Sequence, residues 1–173
     1  ERPGFTASEK LVGGSFSTLF RKAENHRIIV ATFSSNIHRI QQIIDEAVRC
    51  GRKVAVSGRS MLNVVSVASE LGYLNVPDGV LIEIDTIKNY PPERIVIITT
   101  GSQGEPLSAL HRIAFSDHRQ VEVIPGDMFI ISATPIPGNE KLVGKVINEL
   151  IKRGANVVYE KMYDVHVSGH ACQ

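Results

Sequence analysis

The chain has 173 residues, enough for one domain with a substantial core, and 43% of them are hydrophobic, the balance of an ordinary globular protein. Its 19 Lys and Arg against 18 Asp and Glu leave a formal charge of +1, so bulk charge announces neither nucleic acid, membrane nor acidic substrate, and any basic surface must be local. Two cysteines, Cys50 and Cys172, are too few for a secreted disulfide scaffold, and no apolar run approaches the roughly 18 residues of a membrane span, so a reduced, cytoplasmic setting is expected.

The chain opens on ERPGF without an initiator methionine, signal or transit segment, which reads as a piece of something longer. Thr6 to Glu9 then forms a capping box for a helix reaching about Ala23, weakened by Gly13 and Gly14. RIIVATF (27 to 33) reads as a strand. Ser35 is expected to cap the next helix, in which Ile37, Ile40, Ile43, Ile44, Ala47 and Val48 make one apolar stripe and which Gly51 ends. KVAVSG (53 to 58) is a second strand, followed by a helix from about Ser60 to Leu71 and a stretch, VLIEIDTI, whose type the pattern leaves open. RIVIITTG (94 to 101), MFIISATP (128 to 135) and NVVYEK (156 to 161) are further strands, with helices near Ser108 to Phe115 and Glu140 to Arg153 between them. Continuous β-branched strands separated by helices predict an α/β fold with a largely parallel sheet flanked by helices on both faces.

The functional signal lies where these strands end, in ATFSSN, VSGRS, TTGSQGEP, SATPIPGN and HVSGHA. Ligands of open parallel sheets bind outside the carboxyl ends of the strands, where loop amides and helix N-termini gather positive partial charge. Each junction alone also suits an ordinary turn or cap; the five together point to a ligand-binding rim. GSQGEP matches neither the phosphate loop GxxxxGK[ST] nor GxGxxG, which weakens nucleotide readings. Glu105 in that stretch suits a general base less well than a helix-dipole partner. Arg39, Arg59 and Arg112 lie in or beside helices starting at this rim, where a phosphodiester backbone would use them, although solvated surface arginine is the ordinary case.

In HVSGHA, extended chain would align His166, Ser168 and His170 on one face, at i, i+2 and i+4. Three readings of that row stay open on the residues alone: part of a metal shell, histidines merely hydrogen-bonded in an interior, or a pocket for an oxyanion or phosphate built from imidazole, hydroxyl and amide donors. No HxHxDH or CxxC cluster accompanies it.

In order, TFSSNIHRIQQI, SGRSM, IKNYPPE with IVIITTGSQGEPLSAL, SATPIPGNE and VHVSGHA resemble the β-CASP domain of the ribonuclease J family, nearly end to end. The resemblance implies a Rossmann-like three-layer β-CASP domain over residues 1–173, one segment of a longer metallo-β-lactamase/β-CASP ribonuclease acting as a 5′–3′ exonuclease, an endonuclease or both. RNA would run between this domain and the protein's own metallo-β-lactamase domain. It also implies that His166, Ser168 and His170 contact an RNA phosphate, and that His170 lies near the scissile one and acts in catalysis. Two divalent metal ions, zinc or manganese, would be held in the intact enzyme but not by this segment, which alone is expected to be inactive. Partners on this reading are RNA, the lactamase domain and a second copy in a homo-oligomer, with no membrane. The competing reading is a non-catalytic α/β module that binds a sugar phosphate or nucleotide at the rim.

Overall fold

The structure, a computed structural model, describes residues 9–159, with side chains from residue 16 onward. Six strands form one sheet: β1 Ile28–Ala31, β2 Lys53–Ser57, β3 Leu81–Ile82, β4 Ile95–Thr99, β5 Met128–Ile131 and β6 Asn156–Tyr159. Their order is β3-β2-β4-β1-β5-β6, and every pairing is parallel. Five helices cover it: α1 Glu9–Lys22, α2 Ile37–Arg49, α3 Arg59–Glu70, α4 Ala109–Ala114 and α5 Glu140–Lys152. Parallel neighbours cannot be joined by a tight turn, so each crossover carries a helix or a long connection.

Strand periodicity divides the core in two. Ile28 and Val30 of β1 pack with α1, α2 and α3 on one face, whereas Ile29 and Ala31 pack with α4 and α5 on the other. With both faces covered, β1, β4 and β5 are apolar and buried at almost every position, as the sequence patterns predict. The result is the expected three-layer α/β arrangement.

Local expectations hold except at element ends. Strands β1, β4 and β5 stop two to four residues before the predicted limits. Thr32, Thr100 and Ser132 lie beyond those stops, where the chain turns into the loops. Helix α2 is capped by Asn36, not Ser35: its side-chain oxygen accepts the Arg39 N–H at 3.0 Å, satisfying one of the free amides of the first turn. Gly51, at φ 71°, ends that helix as expected, but Val48 faces outward and leaves the apolar stripe. VLIEIDTI resolves into the two-residue edge strand β3 and a 3-10 helix over Ile84–Asn89. Helix α1 runs through Gly13 and Gly14, while the Thr6 cap lies outside the described residues.

Buried arginines hold the amino-terminal edge of the sheet. Arg27, just before β1, makes a bidentate pair with Asp127, just before β5, at 2.7 and 3.3 Å, and donates to the Glu122 carbonyl at 2.6 Å. Asp127 also accepts the Ile124 N–H at 2.9 Å. Burial pushes its carboxyl above the usual range, against the opposing pull of Arg27. Arg52 sits over the Phe20 ring and donates to the carbonyls of Ala23, His26 and Ile95, tying α1, β1 and β4 together at the start of β2.

His118 performs a similar task at the other edge. Its Nδ1 accepts the N–H groups of Gln120 and Val121, both at 3.1 Å, so the ring proton resides on Nε2 and is donated to Ser57 Oγ at 2.7 Å. Burial, and then the charge of Arg112, lower the pKa of this imidazole below 6.5.

Two outcomes follow from these locks. Asp127→Ala leaves a buried guanidinium without its carboxylate and is expected to cost about 3–5 kcal/mol of unfolding free energy, measured by urea denaturation, with the double replacement Arg27→Met, Asp127→Leu recovering most of it. His118 has a folded pKa below its unfolded one, so the stability it contributes is complete above the unfolded value and is lost as pH falls through the folded value. Thermal unfolding between pH 7.5 and about 5 should therefore show a steeper acid loss for the natural chain than for His118→Asn, whose amide oxygen accepts the same N–H groups without titrating.

Candidate functional site

Because all six strands are parallel, every strand exit opens on one edge of the sheet. β1 and β4 are hydrogen-bonded neighbours in register Ala31 to Thr99, yet their chains part there: the link from β1 feeds α2 on one face, and that from β4 feeds α4 on the other. Such a divergence leaves a crevice above the two strand ends, the usual ligand position in open α/β sheets. The rim expected from sequence thus exists, and four of its five junctions lie among the described residues.

At its base the rim is built from buried hydroxyls. Ser57 and Thr99 stand in one row of the ladder, and Thr32 and Ser132 follow Ala31 and Ile131 in the next. All four are at most 5% exposed. The backbone continues to pair above the strands, with Thr32 N–H donating to Thr99 O at 3.2 Å and Ser132 N–H to Ala31 O at 2.9 Å. The hydroxyls turn to near partners: Thr99 Oγ1 donates to the Thr100 carbonyl at 3.1 Å, Ser57 accepts from His118, and Ser132 accepts from Arg39. These groups shape the floor of the crevice, and the loops rise above it. At the exit of β2, Gly58 adopts φ 108°, and a Cβ there would meet Thr100 Oγ1 at 2.6 Å; only glycine lets these two exits close together.

The three rim arginines have different fates. Arg39 is buried, not solvated: its Nη1 donates to both the carbonyl and the hydroxyl of Ser132, and its guanidinium lies 5.7 Å from the Phe16 ring centre. Arg59 is exposed at the start of α3, and Arg112 is half-buried close enough to His118 to depress its pKa. Glu105 is exposed and accepts the N–H of Gln103 inside its own loop at 3.2 Å. It lies four residues ahead of α4, whose cap is Ser108, so it is a turn residue and not a partner of that helix's first turn.

Sequence reading missed Gln103 and His118. Gln103 is 3% exposed, and its carboxamide reaches the loop after β5, while His118 is pinned to a strand 61 residues away. Neither carries a local signal, since their partners are distant in the chain. β6 ends at Tyr159 on the same rim, where burial, with a smaller contribution from Glu140, pushes the phenol up to about 12. His166, Ser168 and His170 follow β6 and lie outside the described residues.

Among the described residues no group of three or more His, Cys, Asp or Glu side chains could hold a metal ion, so they do not fit a metal centre. No helix among them is long and apolar enough to cross a membrane. A cavity of about 270 Å³ opens at the opposite, amino-terminal end near Arg21, Glu46, Arg49 and Arg52. Its charges are largely spent on one another, Arg49 on Glu46 and Arg52 on main-chain carbonyls, and it offers no convergent set of free donors.

Comparison with known proteins identifies the family. Over 172 residues the chain is 48% identical to a protein named Ribonuclease J from Helicobacter pylori, covering 99% of this chain and 25% of that protein. It is 48% identical over its whole length to Ribonuclease J from Thermus thermophilus and 44% identical to Ribonuclease J2 from Bacillus subtilis, covering 30% and 31% of those proteins. The chain therefore spans between a quarter and a third of the length of these relatives. The family model described as "Ribonuclease J, beta-CASP domain" matches residues 25–150, the stretch from just before β1 into the last turn of α5, and the chain accordingly belongs to the ribonuclease J β-CASP domain family.

Proposed function

We propose that this chain is the RNA-binding part of a metal-dependent ribonuclease of RNA processing and decay, and that RNA lies along the carboxyl rim of the sheet. Family membership over residues 25–150 carries this reading, and the crevice between the β1 and β4 exits is the physical feature that supports it. A phosphodiester backbone needs several hydrogen-bond donors at intervals and little sequence-specific chemistry. The loops after β1, β2, β4 and β5 offer amides, hydroxyls and the exposed Arg59 in that manner.

On this reading His166, Ser168 and His170 complete the rim beyond β6. Imidazole N–H and serine O–H donors clamp a phosphate, and His170 stabilises charge on the reacting phosphate or the leaving oxygen. An imidazole with an ordinary pKa of about 6.5 donates a hydrogen bond in either protonation state, which suits it to that task. The protein's metallo-β-lactamase domain is the inferred second wall of the channel and the holder of two divalent ions, zinc or manganese, which supply activated water when bound. The 173-residue chain by itself is then inactive. The cytoplasm is the inferred location, and a homo-oligomer the inferred assembly.

Length dependence of binding tests the reading against a sugar phosphate or nucleotide site. Titrated with fluorescent single-stranded RNA, the chain should bind longer oligonucleotides more tightly than mononucleotides, with log K falling against log salt by roughly 0.7 for each phosphate contacted. Saturation by a mononucleotide with no gain from length would favour the small-ligand module.

The roles after β6 separate in the full-length ribonuclease. His170→Ala should slow single-turnover cleavage of a 5′-monophosphorylated RNA by about 100-fold or more, the scale of losing an oxyanion donor, while metal content and thermal unfolding stay unchanged. Ser168→Ala should weaken RNA binding more than it slows cleavage. Wild-type cleavage by His170→Ala at saturating enzyme would make that histidine structural.

A further inference from the structure

The loop after β4, residues 100–108, and the loop after β5, residues 132–139, leave strands that are not neighbours, because β1 lies between them. One side chain joins them. Gln103 Oε1 accepts the Ile136 N–H at 2.7 Å and Asn139 Nδ2 at 3.1 Å, and its Nε2 donates to the Thr134 carbonyl at 3.2 Å. The whole carboxamide is thus committed to the opposite loop, from a position that is 3% exposed. Asn139, which precedes α5, makes no side-chain capping bond to its own helix and turns its amide to Gln103 instead. Next to Gln103, Gly104 has φ 74° and approaches the first turn of α5 so closely that a Cβ would lie 2.5 Å from the Leu142 carbonyl carbon. No other residue type fits that contact without displacing main chain.

This brace adds nothing to the position of the strands, since β1 already fixes both β4 and β5 through continuous ladders. It acts above the last ladder row, on the loops. A buried carboxamide is costly unless its bonds are made, so the two loops are held as one body across the β1 exit. Beyond the brace, Leu107 is held at φ 70° while 78% exposed, a strained backbone without packing to offset it. Such outliers persist where surrounding structure over-determines them, and they gather at ligand clamps.

We propose that Gln103 is a positioning residue for RNA: it sets the spacing between the loops after β4 and β5, which together form the α4 and α5 side of the crevice, so that their donors meet successive groups of the phosphate backbone without prior rearrangement. The inference rests on the RNA reading above and adds the residue that pre-organises the groove.

The test uses the 173-residue chain and its Gln103→Met variant, which keeps side-chain length and gives up all three bonds. Amide exchange by NMR at Ile136, with Val30 and Ile97 as core references, is measured beside affinity for single-stranded RNA and for a mononucleotide. In the variant, Ile136 exchange should rise about tenfold with the references unchanged, and RNA affinity should fall about fivefold or more, the scale of lost buried hydrogen bonds. Asn139→Ala, which removes one of the three bonds, replaces it if Gln103→Met does not fold, with smaller changes in the same directions. Unchanged Ile136 exchange overturns the brace. Faster exchange with RNA affinity within about twofold of the natural chain overturns the positioning role while leaving RNA binding intact. A natural chain that binds RNA no better than a mononucleotide overturns the RNA reading, and this proposal with it.

Discussion

The placement of β1 between β4 and β5 is the constraint on which the rest of the molecule depends. Its four residues pair on both sides, Ile28 to Ala31 against Val96 to Thr99 and against Met128 to Ile131, and none of its side chains is exposed. A strand committed in this way has no freedom of register, because a one-residue slip would exchange Ile28 and Val30 with Ile29 and Ala31 between two differently shaped cores. The positions of the β4 and β5 exits follow from it. Where β1 and β4 end side by side, α2 and α4 depart to opposite faces, and that divergence makes the crevice.

Polar groups are divided between the two edges of the sheet by chemistry. At the amino-terminal edge, Arg27 and Arg52 collect carbonyl oxygens and one carboxylate from strand starts and helix ends. These are groups that the secondary structure leaves unsatisfied, and a guanidinium with five fixed donors serves several at once. The carboxyl edge is floored instead with hydroxyls and a carboxamide whose bonds are local or cross from loop to loop. Charge is therefore spent on the fold at one edge, and neutral donors predominate in the floor at the other.

How far the sequence could be read depended on the range of the interaction. Strands β1, β4 and β5 were legible because an unbroken β-branched run has one stable use in a sheet covered on both faces. The stripe of α2 was legible from its 3.6-residue periodicity, apart from Val48. The cap of α2 was misplaced by one residue, since Ser35 and Asn36 are both competent caps and only geometry shows which oxygen reaches the Arg39 amide. VLIEIDTI alternates like a strand, but after two residues the chain leaves the edge for a 3-10 turn. The rim was visible as a composition of Ser, Thr and Gly at strand ends; its internal wiring was not. Arg39 sits on a helix that otherwise reads as half polar, so nothing local marks its burial against Ser132, 93 residues away. The same separation hid Gln103, whose acceptor and donors lie 31 to 36 residues further on. The row around Ser168 was noticed from spacing alone, and its place relative to the crevice is outside the described residues.

The brevity of β3 has a consequence for life in a crowded solution. An edge strand exposes a line of unpaired amides and carbonyls on which another molecule's sheet can zip, and parallel sheets are rich in the apolar residues that favour such aggregation. Here the pairing runs only through Val54 with Leu81 and Ala55 with Ile82, after which the chain turns away into the 3-10 helix. Leu81 is 44% exposed, but two residues present too short a line for intermolecular strand exchange to propagate. Geometry thus protects that flank from aggregation, together with Asp78 and Glu83 on either side of the short strand.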